Sequence, residues 1–377
     1  LGRKTQSDPV SAYEKVLPGT GYAGGIGVFT AFLILSYYSV IGGWITKYLA
    51  SYATSFAAPD FGAFVSGPVE PVVWHLVFMA LTVIICLRGV KGIEGASKFM
   101  MPLLFVLLVV VMVRSLTLPD AFKGLEFMFS PVGSTFNFSS ISAALGQVFY
   151  SLSLCMGITI TYGSYLSRKE NIPKSCMTVT GLDTGIALMA GLAIFPAVFS
   201  FGLKPEQGPS LVFGTLPNVF SSLQGGTVFA ILFFLLVLFA ALTSAIALLE
   251  VVTKFIMQRW GWGRTKSVII LGVVLFLLGI PSALSFGPLA EVKLLGNTFF
   301  DWICLLTDNI LLPVGGILMC VLLGWKWDVN KIVGEVRQNG VKFRLAKAWV
   351  FCIRYVAPVL VLVVTVSGII GIVNAVS

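Results

Sequence analysis

Histidine is almost missing from this sequence. It occurs once in 377 residues, as His75, and no His-Glu-x-x-His pattern surrounds it, which argues against zinc hydrolysis of that kind. Charge is scarce too: Asp, Glu, Lys and Arg supply 11% of the chain, against roughly 25% in soluble domains. The six cysteines (Cys86, Cys155, Cys176, Cys304, Cys320, Cys352) show neither zinc nor thioredoxin spacing and read as small apolar residues in or beside helices. Neither Asp183 nor Asp301 has a catalytic motif around it, so an aspartyl mechanism has no support, and the chain is not expected to be an enzyme. An initiating Met, a basic leader and a cleavage site are also lacking. Leu1-Gly-Arg3 therefore reads as neither a signal peptide nor a natural start, and an N-terminal truncation is expected.

What fills the chain is apolar: 57% of its residues are hydrophobic. A spanning helix needs about 20 consecutive apolar residues, and nine stretches qualify: 21–48, 71–88, 99–118, 140–166, 175–200, 226–257, 267–284, 297–324 and 349–375. The expected class is an all-α polytopic membrane protein, with residues 1–377 as a single transmembrane domain. The net charge of +9 is no sign of a nucleic-acid partner, because of where the charges fall. With the N-terminus inside and the helices alternating, 20 of the 25 Lys and Arg residues lie on the inner side. Only Lys47, Arg114, Lys123, Lys204 and Lys293 stay outside, the asymmetry that orients membrane proteins. Asn137-Phe138-Ser139 matches a glycosylation sequon in an outer loop. The short loops point instead to a prokaryotic protein of the cytoplasmic membrane, with the sequon a chance match.

One span is unlike the rest. Gln147 to Tyr165 reads Gln-Val-Phe-Tyr-Ser-Leu-Ser-Leu-Cys-Met-Gly-Ile-Thr-Ile-Thr-Tyr-Gly-Ser-Tyr, dense in Ser, Thr and Gly within a hydrophobic run. A lipid-facing helix has little use for so many hydroxyls. A helix that unwinds midway exposes carbonyls and hydroxyls that can ligate a cation and hold a substrate. Sodium, a hard cation, takes several such oxygens. Ala240, Thr243 and Ser244 share one helical face at i, i+3 and i+4. Taken alone, the two hydroxyls could equally bond back to their own helix. Asp183 lies inside an apolar span with no basic residue nearby in sequence. An intramembrane carboxylate of this kind is either functional or paired with a Lys or Arg of another helix. Glu250 could be a proton site or a structural partner of Lys254 at i+4, and the structural role is favoured. His75, beside Trp74, is expected as an interfacial anchor. Pro313-Val-Gly-Gly316 would allow close helix approach or a kink.

Tyr37 to Trp44 (Tyr-Tyr-Ser-Val-Ile-Gly-Gly-Trp), Lys91 to Pro102, Gly146 to Tyr165 and Phe239 to Ala247 occur in an order that resembles the bacterial neurotransmitter:sodium symporters, over nearly the whole chain. The resemblance implies an inverted-repeat fold with broken helices, whose first two helices would precede Leu1-Gly-Arg3, so that the nine spans match family helices three to eleven. It further implies sodium-coupled uptake of a neutral, hydrophobic or aromatic amino acid. Ala240, Thr243 and Ser244 would serve one sodium site, and Ser151 with Asp183 the other. Asp183 would also supply the fixed negative charge that makes chloride dispensable, while Ala187 stands where relatives carry an acid. Tyr38 would bind the substrate carboxylate, and Ser153 would offer a carbonyl near the amine. Ile34, Met156, Thr159, Ser244 and Leu248 would shape the side-chain pocket, with Tyr150 as a lid. Tyr150 and Met156 both stand where Phe is usual, so the substrate of any one relative does not transfer. Gln147 and Asp301 would face the outer vestibule. Gln258 replaces an inner-gate acid, leaving Tyr165 to close that side. A proton-coupled carrier of the same superfamily and a non-transporting amino-acid sensor are the competing readings.

Overall fold

A chain this apolar can satisfy its backbone polar groups inside a membrane only within its own helices. The computed structural model, which describes residues 1–130, 138–203, 208–293 and 296–376, is helical throughout, with no β-strand among the described residues. Asn137 of the sequon and Lys204 of the outer set lie outside the described residues. After a four-residue helical turn at Gly2–Thr5 comes a short amphipathic helix, α1 (Pro9–Val16). Asp8 caps it by accepting the Val10 and Ser11 N–H groups at 2.9 and 3.2 Å, and Pro9 takes the first position, where no donor is needed. Glu14 accepts the backbone N–H groups of Gly19 (2.8 Å) and Gly21 (3.0 Å), bracing the turn into the first long helix. These two bonds hold its carboxyl below the usual glutamate range.

The long helices follow in order: α2 (Gly21–Thr54), α3 (Glu70–Leu87), α4 (Gly89–Leu116), then a short α5 (Ala121–Phe129). Next come α6 (Phe138–Ser151) and α7 (Ile158–Gly163), and after them α8 (Ile172–Ser200), α9 (Gly226–Trp260) and α10 (Arg264–Leu284). The last two are α11 (Phe299–Lys326) and α12 (Ala346–Gly368). Eight of these helices are long and apolar enough to cross a membrane. The ninth expected span, 140–166, is the one divided between α6 and α7, neither of which is long enough alone.

Helices α2 and α9 pack along each other and form the axis of the fold, with α3, α10 and α4 around them. Of the apolar window of α2, 67% is buried, against 11% for α12, which lies at the rim. At the outer end of α2, Trp44 is fully enclosed by edge-on contacts with Phe61, Phe213 and Phe286 at 5.3–5.7 Å. The Tyr48 hydroxyl donates to the Phe213 carbonyl at 2.8 Å, tying the segment before α9 to this cluster. His75 is not an interfacial anchor: it is fully buried, and its Nε2 lies 2.9 Å from the Ser39 hydroxyl. Gly43 and Gly279 press against it from α2 and α10, so the ring is part of a three-helix crossing.

Candidate substrate and ion site

Between Ser151 and Ile158 the backbone leaves helical geometry. Ser153 (φ 51°), Cys155 (φ 64°) and Gly157 (φ 74°) are all left-handed. Glycine takes that conformation freely, whereas an L-residue forfeits about 1–2 kcal/mol. Two such residues two positions apart, Ser153 and Cys155, are strain that the surrounding helices must hold. Tight bonds end the first half: Ser153 N–H reaches the Tyr150 carbonyl at 3.0 Å and Leu154 N–H the Phe149 carbonyl at 2.9 Å. The second half restarts with Thr161 N–H on the Gly157 carbonyl, also at 2.9 Å. Among the described residues, no backbone N–H bonds to the carbonyls of residues 151–156. These oxygens are the kind of unspent ligand that a broken membrane helix supplies. The break is held between two glycine surfaces. A Cβ at Gly27 of α2 would stand 3.1 Å from the Cys155 carbonyl oxygen, and one at Gly315 of α11 would stand 3.4 Å away. The Pro-Val-Gly-Gly stretch therefore serves close approach to the break.

Around this segment the structure brings together several residues singled out by the sequence. The Ser151 hydroxyl lies 2.6 and 2.7 Å from the two Asp183 oxygens, joining the end of α6 to α8. None of the ion pairs among the described residues involves Asp183. On α9 the Thr243 hydroxyl donates to the Ala240 carbonyl at 2.8 Å, the self-bonded arrangement open to any membrane Ser or Thr. Ser244, beside it, is exposed and meets the Tyr38 hydroxyl across the contact of α2 with α9. Ile34, Met156 and Leu248 are buried apolar positions, whereas Thr159 is exposed on α7.

On the outer side, Gln147 is exposed on α6. The Asp301 carboxylate is spent on a capping box at the start of α11. Its Oδ2 accepts from the Thr298 hydroxyl at 2.7 Å while Thr298 takes the Asp301 N–H at 3.3 Å. A different acid, Asp308, not singled out from the sequence, reaches Tyr150. Tyr150 donates to Asp308, and the Thr307 hydroxyl also contacts Asp308 Oδ1, at 2.8 Å. Tyr37 completes the group, 3.0 Å from the Tyr150 hydroxyl and 3.4 Å from that of Thr307. The rule that flagged Asp183, a carboxylate inside an apolar span, would have found Asp308 as well.

On the inner side, Tyr165 donates to Glu250 at 2.5 Å. Glu250 is fully buried, and its ion-pair partner is Arg264, which approaches with two nitrogens at 3.1 and 2.6 Å. The i,i+4 expectation is thus corrected: Lys254 instead bonds the Ser164 hydroxyl and lies 4.0 Å from the centre of the Tyr165 ring. Arginine suits the site because its planar fork matches both carboxylate oxygens. Gln258 accepts the Asp8 backbone N–H at 2.6 Å, fastening the N-terminal segment to α9.

The model of the sodium:neurotransmitter symporter family matches residues 66–376. An uncharacterized sodium-dependent transporter of Bacillus subtilis, YhdH, is 40% identical over 377 residues, covering 97% of this chain and 83% of that protein. An uncharacterized sodium-dependent transporter of Haemophilus influenzae is 35% identical, covering 95% of this chain and 80% of the other. The crystal structure of MhsT in complex with L-phenylalanine superposes with a TM-score of 0.90 at 43% identity, over 97% of this chain and 86% of that one.

Proposed function

The chain belongs to the sodium:neurotransmitter symporter family, and from that premise we propose that it brings a neutral, hydrophobic or aromatic amino acid into the cell with sodium and without chloride. Its relatives are transporters rather than enzymes, and its fold is the inverted-repeat, broken-helix fold of that family. The observation that carries the finer reading is the interrupted span at residues 151–157, with its free carbonyls beside the Ser151–Asp183 pair. The Asp183 carboxylate and Ser151 hydroxyl would serve one sodium ion. The Ala240 carbonyl with the Thr243 and Ser244 hydroxyls would serve a second, the Thr243 hydroxyl turning from its own helix to do so. Both sets are hard oxygens, as sodium requires. Asp183 would supply the fixed negative charge that offsets sodium, leaving no task for chloride.

Substrate would lie at the break, its carboxylate on the Tyr38 hydroxyl and its amine at the Ser153 carbonyl. Ile34, Met156, Thr159, Ser244 and Leu248 would line the side-chain pocket, closed from outside by Tyr150. The buried Ile34, Met156 and Leu248 favour an apolar substrate. The phenylalanine bound by MhsT is in keeping with that. Gln147 and Asp301 would face the outer vestibule, the Asp301 carboxylate being shared with its helix cap. Tyr165, with Glu250 and Arg264, closes the inner side.

The test is uptake of labelled amino acids, L-phenylalanine first, by the full-length protein in liposomes under an inward sodium gradient, with choline as control. Accumulation driven by sodium and unchanged when gluconate replaces chloride is expected, as is its loss in Thr243→Ala. Uptake indifferent to sodium would instead support the proton-coupled reading, and binding without accumulation the sensor.

A further inference from the structure

Tyr150 carries a hydroxyl where the resemblance leads one to expect the plain ring of phenylalanine, and that hydroxyl is not idle. Its one proton goes to Asp308, so its oxygen is left to accept from Tyr37 at 3.0 Å. Tyr37 is almost fully buried, and its edge rests on Phe300, 5.7 Å between ring centres. Three elements therefore meet through hydroxyls and one carboxylate: α2 through Tyr37, α6 through Tyr150, and α11 through Thr307 and Asp308. The α11 contribution comes from a π-helical stretch, Thr307–Leu311. A wider turn of this kind re-aims side chains and is frequent at functional sites. None of the ion pairs among the described residues includes Asp308. Beside the network lies a cavity of about 500 Å³ between α6, α11 and α12, lined in part by Gly146, Phe149, Tyr150, Asp308 and Asn309.

We propose that Asp308 is a positioning residue of transport: it latches the Tyr150 lid to α11 when the substrate site is closed to the outside. This rests on the symporter reading above. Each member of the pair explains the other. A carboxylate inside the membrane needs donors, and a tyrosine hydroxyl buried at a lid needs an acceptor. Opening the lid swings the Tyr150 ring toward the adjoining cavity and breaks its bonds to Asp308 and Tyr37 together. The latch therefore sets how long bound substrate stays, not how sodium is recognised. Sodium would be held by other residues, Ser151 and Asp183 at one site and Ala240, Thr243 and Ser244 at the other.

The experiment is a double-mutant cycle in the full-length protein, with Tyr150→Phe, Asp308→Asn and the pair. Dissociation of labelled L-phenylalanine, or of whichever neutral amino acid the parent accumulates, is followed in saturating sodium, alongside thermal unfolding. Each single variant should release substrate about tenfold faster, as expected for loss of one charge-assisted hydrogen bond. The double variant should be no faster than the quicker single one. Tyr150→Phe keeps the ring, so the cycle remains informative if Asp308→Asn folds poorly. Additive effects would overturn the latch, as would a Tyr150→Phe release rate equal to the parent's. A parent that binds no amino acid would overturn the symporter reading itself, and the unfolding cycle would still report whether the bond exists.

Discussion

Replacing Arg264 by Gln puts a defined load on the inner side of the protein. Glu250 is 0% exposed, and its oxygens are held by Arg264 at 3.1 and 2.6 Å and by Tyr165 at 2.5 Å. Removing one partner of a buried ion pair costs about 3–5 kcal/mol, because the other charge is left uncompensated. That cost falls on whichever state keeps Glu250 dry, and a state that opens the inner side to water escapes it. At about 1.4 kcal/mol per tenfold, the open form should gain roughly two to three and a half orders of magnitude in relative population. Thr161 offers a reporter, since it is fully buried and its hydroxyl has no partner. A Thr161→Cys protein, with the native cysteines replaced, should be alkylated from the inner side at least about ten times faster once Arg264→Gln is added. Adding Glu250→Gln as well removes the stranded charge and should restore most of the slow rate. Unchanged alkylation and an unchanged unfolding midpoint in Arg264→Gln would refute the argument, as would a double variant that fares worse than the single.

Two further outcomes follow from local geometry. Ser153→Gly relieves a left-handed serine (φ 51°) and should stabilise the fold by about 1 kcal/mol. A raised unfolding midpoint would bear this out, and a lowered one would show that the Ser153 hydroxyl contributes more than the strain removes. Glu14, whose carboxyl is held low by the Gly19 and Gly21 N–H groups, stabilises the folded state fully above the ordinary glutamate pKa. That contribution is lost as pH falls through the lowered value. Glu14→Gln should therefore melt below the parent near neutral pH, with the two midpoints converging in acid.

Much of this architecture could be read from one dimension, because apolar length and hydroxyl density are local properties. The broken span announced itself through Ser151, Ser153, Gly157 and Thr159 within a hydrophobic run, and the structure breaks the helix there. Partners distant in the chain were another matter. Trp74 beside His75 suggested an interface, but the ring is claimed by Ser39, 36 residues away on another helix. Lys254 stood at the right spacing for Glu250, yet Arg264, beyond the turn into α10, offers two donors where lysine offers a point charge. Thr298-x-x-Asp301 spells a capping box, so the local bonds of the Asp301 carboxylate could also have been read from the sequence. Asp308 was open to the same rule as Asp183, a carboxylate within an apolar span, but its partners Tyr37 and Tyr150 are brought to it only by the fold.

The break between α6 and α7 also bears on how this protein is made. Its halves hold 14 and 6 residues, about 21 and 9 Å of helix, and neither crosses a hydrocarbon layer of about 30 Å. Irregular backbone at that depth is tolerable only when enclosed by protein. One wall of the enclosure, Gly27, is synthesised early, but the other, Gly315, emerges some 150 residues after the break. Until then the segment is a poor substrate for the insertion machinery, dependent on helices already in the bilayer to shelter its bare carbonyls. Completion of the enclosure around the break is thereby tied to completion of α11. A nascent chain interrupted before that point would present an unfinished span to membrane quality control rather than a half-working, leaky carrier.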